Sequence, residues 1–524
     1  MANFPGPKTM ARTSGGGRGF LVSTVLLPAI LLLLPAAGSP SPFPLDSPRD
    51  HEKALRAART TDERIEVLAG IGEVDDKRLL QALFEVLEKT EWRIDIAWKR
   101  LAEIEDGLAP LRKALLSKEE WTERDKLEAE KKLAGEVLLK EESVAEKIVH
   151  LLGISESDEA LQTLLRKGMR SRSPLVRVRV IEALAVRDDE AARDALLDAL
   201  SDKEPQLRVR AADLLGEKKV EKALHPLIKA AAQDEVWQVR TAAIGALARI
   251  GDLRAVEPLV TIVGSSEGKV LDDAIVALEK LTGKSFGSNF LAWRDWCKEN
   301  VNPEAGTILD LSGFLKPLQQ SRERLTYQGI ETHSLAVVFI FDFSDSMNDP
   351  ASEDVIPTDG VPDRESGRRS KLDVAKNDLI QAILALDEKS RFTVILYNHQ
   401  VLPWQTKMVA ATRSSKNEAL KFVLGTTAIG GTNIYDSLEL AFNLAGYGVR
   451  DKYYKSAVDT IFLLSDGAPS EGRIIDTGQI LDEVDRMNKL RKIRIHTIGI
   501  GALNDSAFLR ELARRNGGKY IEKK

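Results

Sequence analysis

The 524-residue sequence predicts a multidomain chain, an all-α helical solenoid followed by a doubly wound α/β domain. Three observations predict it. Similar helical segments recur at a fixed period between 159 and 283. From 335 onward, short buried strands alternate with amphipathic helices. Polar clusters then stand directly after those strands. Composition removes other classes. With 75 Lys+Arg against 80 Asp+Glu the formal charge is −5, so there is no basic field and bulk nucleic-acid binding is not expected. Cys297 is the single cysteine, which excludes a disulfide framework, a Cys-based zinc finger and an iron–sulfur cluster. The six histidines (51, 150, 225, 333, 399 and 496) include no pair at metal-ligand spacing. A hydrophobic share of 43% is too large for general disorder.

The amino terminus reads as an export signal. Lys8, Arg12 and Arg18 precede an apolar run from Phe20 to Leu34, and Ala36 and Gly38 follow as small residues suited to cleavage. Residues 1–38 are expected to be a signal peptide, or a signal anchor in which 20–37 stays in the membrane as a span of just sufficient length. Residues 39–50 are rich in Pro and Ser and read as a linker.

Residues 51–300 are expected to form a repeat array. LVRVRVIEALA from Leu175, QLRVRAADLLG from Gln206 and QVRTAAIGALA from Gln238 align, placing Leu184, Leu215, Leu247 and Leu278 in equivalent positions 31 or 32 residues apart. Leu196, Leu227 and Leu259 mark a second helix in each unit, with Pro226 and Pro258 near its start. One such hairpin cannot bury its apolar face alone, whereas stacked neighbours can. The motif of a basic residue, small residues and Leu (Arg208, Ala211, Ala212, Leu215; Arg240, Ala243, Leu247) resembles HEAT-type repeats of the short bacterial kind, over about 125 residues. Within the array, 91–150 is charged and departs from the period. It reads as longer helices forming a solvated spacer rather than a docking arm. Phe290, Trp293 and Trp296, at helical spacing, are expected to cap the last repeat. Gly283-Lys284-Ser285 mimics the end of a phosphate loop, but position 278 is Leu where that motif needs Gly.

After a linker at 301–330, residues 331–524 change period. LAVVFIFDF (335–343), RFTVILYN (391–398), TIFLLSDG (460–467) and IRIHTIGIG (493–501) read as strands buried on both faces, with a short edge at 401–409 and a last strand at 518–523. Helices are expected at 371–386, 417–424, 435–445, 473–489 and 506–515. The alternation predicts a Rossmann-like parallel sheet with its ligand site at the carboxyl ends of the strands. Three clusters fall there: Asp342-Phe343-Ser344-Asp345-Ser346, Gly430-Gly431-Thr432-Asn433 and Ser465-Asp466-Gly467. Asp342, Ser344, Ser346, Thr432 and Asp466 make an all-oxygen set of two carboxylates and three hydroxyls. Such a set suits a hard divalent cation, Mg²⁺ or Mn²⁺ first and Ca²⁺ next.

These clusters, in this order, resemble the metal-ion-dependent adhesion site (MIDAS) of the von Willebrand factor A family, and the likeness covers about 190 residues. The resemblance implies that the two Ser and the Thr contact the metal and that one or both Asp act directly or through water. Asp345 departs from the Gly common in bacterial members and is expected to face solvent. An acidic and Arg-containing insertion, 348–370, emerges beside the site and reads as a mobile loop, with a lid or an internal carboxylate as the alternative. The family's adhesion members carry a further helix after the last strand; here 308–320 is expected to cover that groove.

Together these features predict an exported, non-enzymatic protein–protein interaction or adhesion-type protein. Its metal would capture an Asp or Glu carboxylate of a protein partner, and its repeat array would supply a second binding surface. No nucleic acid or small-molecule substrate is expected, and a membrane only if residues 20–37 remain. Two alternatives are a subunit of a larger metal- or ATPase-linked assembly and a metal-dependent hydrolase. Against the latter stands the lack of G-x-S-x-G and H-E-x-x-H motifs.

Overall fold

The computed structural model describes residues 47–72, 74–112, 116–301, 324–351, 369–446, 457–501 and 506–523. The expected signal segment, the stretch 308–320 and insertion residues 352–368 lie outside the described residues. No helix among the described residues is long and apolar enough to cross a membrane.

The amino-terminal part is helical: α1 (Pro48–Ala57), α2 (Thr61–Ala69), α3 (Lys77–Leu108), α4 (Lys118–Ile154), α5 (Asp158–Thr163), α6 (Pro174–Val186), α7 (Glu190–Ala199), α8 (Pro205–Glu217), α9 (Leu224–Gln233), α10 (Trp237–Ile250), α11 (Val256–Ser265), α12 (Gly268–Thr282) and α13 (Phe290–Asn300). The equivalent leucines of the repeat, Leu184, Leu215, Leu247 and Leu278 with Leu196, Leu227 and Leu259, are all fully buried. The recurring arginine clamps each unit. Arg177 donates to Asp202 at 3.0 Å, Arg208 grips both oxygens of Asp234 at 2.7 and 2.9 Å, and Arg240 donates to Ser266 at 2.8 Å. Each bond runs from the first helix of a unit to the turn after its second. Asp202 and Asp234 also accept from the backbone N–H two residues on, at 2.8 and 2.9 Å, which starts the next unit's first helix. At the far end Trp293 is fully buried, donates its ring N–H to the Gly287 carbonyl at 2.8 Å and meets Phe286 edge-on, while Phe290 lies over Gly264. The aromatic triplet thus closes the array.

The charged insert behaves differently from a solvated spacer. Helices α3 and α4 form a long antiparallel hairpin whose buried face carries ions as well as Ile94, Leu101 and Leu138. Those ions are its docking residues, described below. A sequence scan for apolar period reads such a face as solvated because its partners lie more than 300 residues away.

The carboxy-terminal part begins with a hairpin, β1 (Leu325–Tyr327) and β2 (Ile330–Thr332), where the sequence reading placed the end of a linker. Tyr327 is buried edge-on against Phe339 and Phe462, both at 5.4 Å, so the hairpin belongs to the α/β core. There follow β3 (Ala336–Asp342), α14 (Lys371–Leu384), β4 (Arg391–Tyr397), β5 (Val401–Pro403), β6 (Val409–Ala410), α15 (Arg413–Leu424), α16 (Ile434–Leu444), β7 (Thr460–Ser465), α17 (Thr477–Asn488), β8 (Arg494–Ile500), α18 (Ser506–Arg515) and β9 (Tyr520–Lys523). The sheet order is β5-β4-β3-β7-β8-β9, with β6 also on β4. Strands β4, β3, β7, β8 and β9 are parallel, and the short β5 and β6 run antiparallel to β4. The strand order reverses between β3 and β7, which makes their carboxyl ends the switch point where such sheets bind ligands.

The array grips the opposite, amino-terminal edge of this sheet. Lys489 pairs with Glu182, Lys492 with Asp213, and Arg494 with Asp273 and, at 3.5 Å, with Asp272. Asp272 also accepts from the Thr332 hydroxyl at 2.6 Å and the His333 N–H at 3.0 Å, and Leu335 rests over Gly268. Alongside, the α3–α4 hairpin reaches α16: Lys131, itself buried, pairs with Glu105 and with Glu439 at 2.7 Å, and Arg473 bonds Glu439 while passing Gly135. An acidic row on the first helices of the repeats is thereby already engaged by the chain's own α/β domain.

One buried histidine gives this core an acid limit. His496 on β8 stacks on Phe462 at 4.8 Å, accepts from the Lys519 N–H at 3.0 Å and is buried. Burial, aided by the Arg494 charge, pushes its pKa down to about 3 from 6.5. The unfolded chain therefore binds this proton first, so stability is present above about pH 6.5 and is lost as pH falls toward 3, by about 1.4 kcal/mol per unit. Urea unfolding of His496→Gln is expected to show a shallower loss over that window than wild type. Equal slopes would exclude His496 as the cause.

Candidate metal centre

The site is built by the ends of β3 and β7 and by the loop between α15 and α16, so the Thr432 cluster follows a helix rather than the strand end the sequence suggested. Strand β3 places Asp342 as its last residue, fully buried. The chain turns at once: Asp342 Oδ1 accepts from the Ser344 N–H at 2.8 Å, and a short 3₁₀ turn over Asp345–Asn348 presents Ser346. The Ser344 and Ser346 hydroxyls lie 3.2 Å apart, and Ser346 donates to Asp466 Oδ1 at 2.8 Å. Ser344, Ser346 and Asp466 thus line up oxygen to oxygen across the switch point, and Asp342 is tied to them by the Ser344 backbone N–H. Asp345 is exposed and its side chain accepts from Asn348.

Thr432 is brought alongside by backbone. The Ile429 N–H donates to the Phe343 carbonyl at 2.9 Å, and the Asp345 N–H to the Gly430 carbonyl at 2.8 Å. The Thr432 N–H donates to the Ser470 hydroxyl at 2.9 Å, and its carbonyl accepts from Ser470 and Glu471. Among the described residues its hydroxyl makes no hydrogen bond with the other four donors. Gly430 has φ +80°, and a Cβ there would stand 2.1 Å from His399 Nδ1. A Cβ on Gly431 would stand 2.5 Å from Glu471 Cγ. Only glycines let these loops close on one another. Asn433 caps α16 by accepting from the Asp436 N–H at 3.2 Å, and Arg473 Nε donates to Asp436 at 3.1 Å. The Arg473 side chain that meets the α3–α4 hairpin therefore also braces the Thr432 loop.

Tyr397 and Lys371, beside these donors, escaped the sequence reading, and Ser465 stood there only as a member of its cluster. Tyr397 ends β4 directly beside Asp342 in register, and its hydroxyl lies 3.1 Å from Asp342 Oδ2 and 3.0 Å from the Leu464 carbonyl. Ser465 donates to the same Asp342 oxygen at 2.9 Å. Lys371 Nζ donates to Asp466 Oδ2 at 2.9 Å. A polar residue closing an otherwise apolar strand was the available signal for Tyr397. The lysine had none, because an insertion separates it from the motif. Burial raises the Asp342 pKa to about 6, with hydrogen bonds from Ser344 opposing the rise. His399, exposed, puts an imidazole at the rim that no scan of the three motif loops finds.

The donors fit a hard cation. Asp342 and Asp466 are two buried carboxylates, the remaining donors are hydroxyls, and the Lys371 ammonium already rests on Asp466. Among the described residues no three His, Cys, Asp or Glu side chains cluster as a metal site, so hydroxyls must complete any coordination.

A family model of HEAT repeats matches residues 193–279, and one of the von Willebrand factor type A domain matches 361–521. The second match contains Thr432 and Asp466 and begins past Asp342, Ser344 and Ser346. Human inter-alpha-trypsin inhibitor heavy chain H4 is 29% identical over 192 residues, 36% of this chain and 18% of that protein. Heavy chain H2 of Mesocricetus auratus is 31% identical over 134 residues, 25% of this chain and 14% of that protein. The chain thus spans less than a fifth of the length of these relatives. A solved structure of a von Willebrand factor type A protein from Catenulispora acidiphila is 22% identical with a TM-score of 0.29, covering 37% of this chain and 40% of that one.

Proposed function

We propose, for a chain that carries HEAT repeats followed by a von Willebrand factor type A domain, that its protein–protein interaction role runs through a divalent cation. Asp342, Ser344, Ser346, Thr432 and Asp466 would hold Mg²⁺ or Mn²⁺, directly or through water. The bound ion would offer one coordination position to a carboxylate oxygen of a partner's Asp or Glu. The observation that carries this reading is the run of hydroxyls from Ser344 through Ser346 to the Asp466 carboxylate at the topological switch point, with Asp342 tied to the same turn by the Ser344 backbone N–H. Buried Asp342 is held by Tyr397 and Ser465, which fixes its position. Asp466 shares its two oxygens between Ser346 and Lys371. Binding rather than catalysis is proposed because the site hydroxyls bond one another and Asp466, not a histidine that would activate them.

The array's part in this proposal is to hold the domain, its acidic row at the amino ends of the strands and its α3–α4 hairpin at α16 and Arg473. The remaining surface of the array is offered to partners. Export is proposed on Lys8, Arg12, Arg18 and the apolar run after them.

The test is thermal unfolding of the full chain with MnCl₂, beside Asp466→Ala. At about 100 times the dissociation constant the ion should stabilise wild type by about 2.7 kcal/mol. The variant should show no such gain. A wild-type midpoint indifferent to MnCl₂ would count against the reading.

A further inference from the structure

Lys371 is the first residue of α14, where the helix dipole disfavours a cation. Its ammonium is nevertheless turned onto the metal-site donors. Nζ donates to Asp466 Oδ2 at 2.9 Å, to Asp349 Oδ2 at 3.2 Å and to the Ser346 carbonyl at 3.4 Å. The Lys371 side chain is 14% exposed and that of Asp466 is 0%. Gly501, at the end of β8 with φ +82°, makes room for it, since a Cβ there would lie 2.9 Å from Lys371 Cε. The backbone around it is pinned. The Lys371 N–H donates to the Asp349 carbonyl at 2.9 Å, the Ala351 N–H to the Arg369 carbonyl at 2.9 Å, and Pro350 bridges Ser370. The lysine is thus aimed from a clamped stem at the foot of the insertion.

We infer that Lys371 is a resident cation of this site, holding Asp466 until a divalent ion displaces it. The inference rests on the metal reading above. Ser346 takes one oxygen of Asp466 and Lys371 takes the other. A divalent ion drawn to Asp466 therefore meets both partners, and the like-charged ammonium is the one it repels. Asp349 gives the expelled ammonium a place to go, because it already bonds Nζ and its own side chain is 63% exposed. Metal uptake then carries a built-in competitor, and it moves a side chain rooted at the base of the insertion.

The test uses the full chain with Mn²⁺ as the only probe. Calorimetric titration should show Lys371→Met binding Mn²⁺ at least tenfold more tightly than wild type. Acetylation of the Lys371 amine in wild type, followed by mass spectrometry, should rise severalfold when Mn²⁺ is saturating. Equal affinity in the two proteins would overturn the inference while leaving the metal site standing. Labelling that saturating Mn²⁺ does not change would also overturn it, even with an affinity gain, since charge alone would then explain the gain. If neither protein binds Mn²⁺, the metal reading itself fails and the inference falls with it.

Discussion

Arg494→Ala is expected to destabilise the full chain by about 3 kcal/mol. The guanidinium is buried at the start of β8 and pairs with Asp273 and Asp272 on α12. Asp272 would keep the Thr332 and His333 donors, and Asp273 would keep Lys269 at 2.5 Å. These remaining partners place the cost at the low end of the range for an orphaned buried ion pair. The lost contact joins the array to the α/β sheet, so differential scanning calorimetry should show one transition in wild type separating into two in the variant. Arg413→Ala, on an exposed arginine at the start of α15, serves as control and should stay within about 0.5 kcal/mol of wild type. A loss below about 1 kcal/mol for Arg494→Ala would mean that the two parts do not depend on this contact.

Trp293→Ala is expected to cost about 3–5 kcal/mol, the range for emptying a fully buried large aromatic site. Trp293 is 0% exposed and carries both the edge contact with Phe286 and the hydrogen bond to Gly287. Its loss should free α13 from α11 and open the end of the array. Cys297 sits on the same helix, and its thiol is buried, with a pKa pushed up to about 11 by that burial. Being the chain's only cysteine, it reports cleanly: disulfide-reagent labelling should be slow in wild type and much faster in the variant. Unchanged labelling with full stability would contradict the capping role.

Much of this architecture was legible because the signals were local. The spacing of Leu184, Leu215, Leu247 and Leu278 needed no knowledge of partners, since each leucine faces a neighbour one unit away. The strands showed themselves as apolar runs for the same reason: both faces are covered. The hairpin α3–α4 was misread because its docking face is ionic. Lys131, Glu105 and Glu439 look solvated in sequence and are buried where they pair with one another, with Arg112 and Arg473 beside them. Likewise β1–β2 is too short to carry a period, and Tyr327 gains its meaning from Phe339 and Phe462. At the candidate metal centre the motif residues stood out by their spacing, while Tyr397 and Lys371 did not. Tyr397 arrives through parallel register with β3, and Lys371 arrives across an insertion of variable-looking composition. The basic recurrence at Arg177, Arg208 and Arg240 was visible, but its work as a clamp within each unit was not, because the acceptors lie in turns whose own sequence is unremarkable.

The most direct test of the central claim is a count of bound manganese on the full chain by electron paramagnetic resonance, with Mg²⁺ as competitor and Asp466→Ala alongside. One Mn²⁺ per chain is expected, displaced by Mg²⁺ and absent from the variant. No saturable Mn²⁺ in wild type, or the same saturable ion in Asp466→Ala, would contradict it.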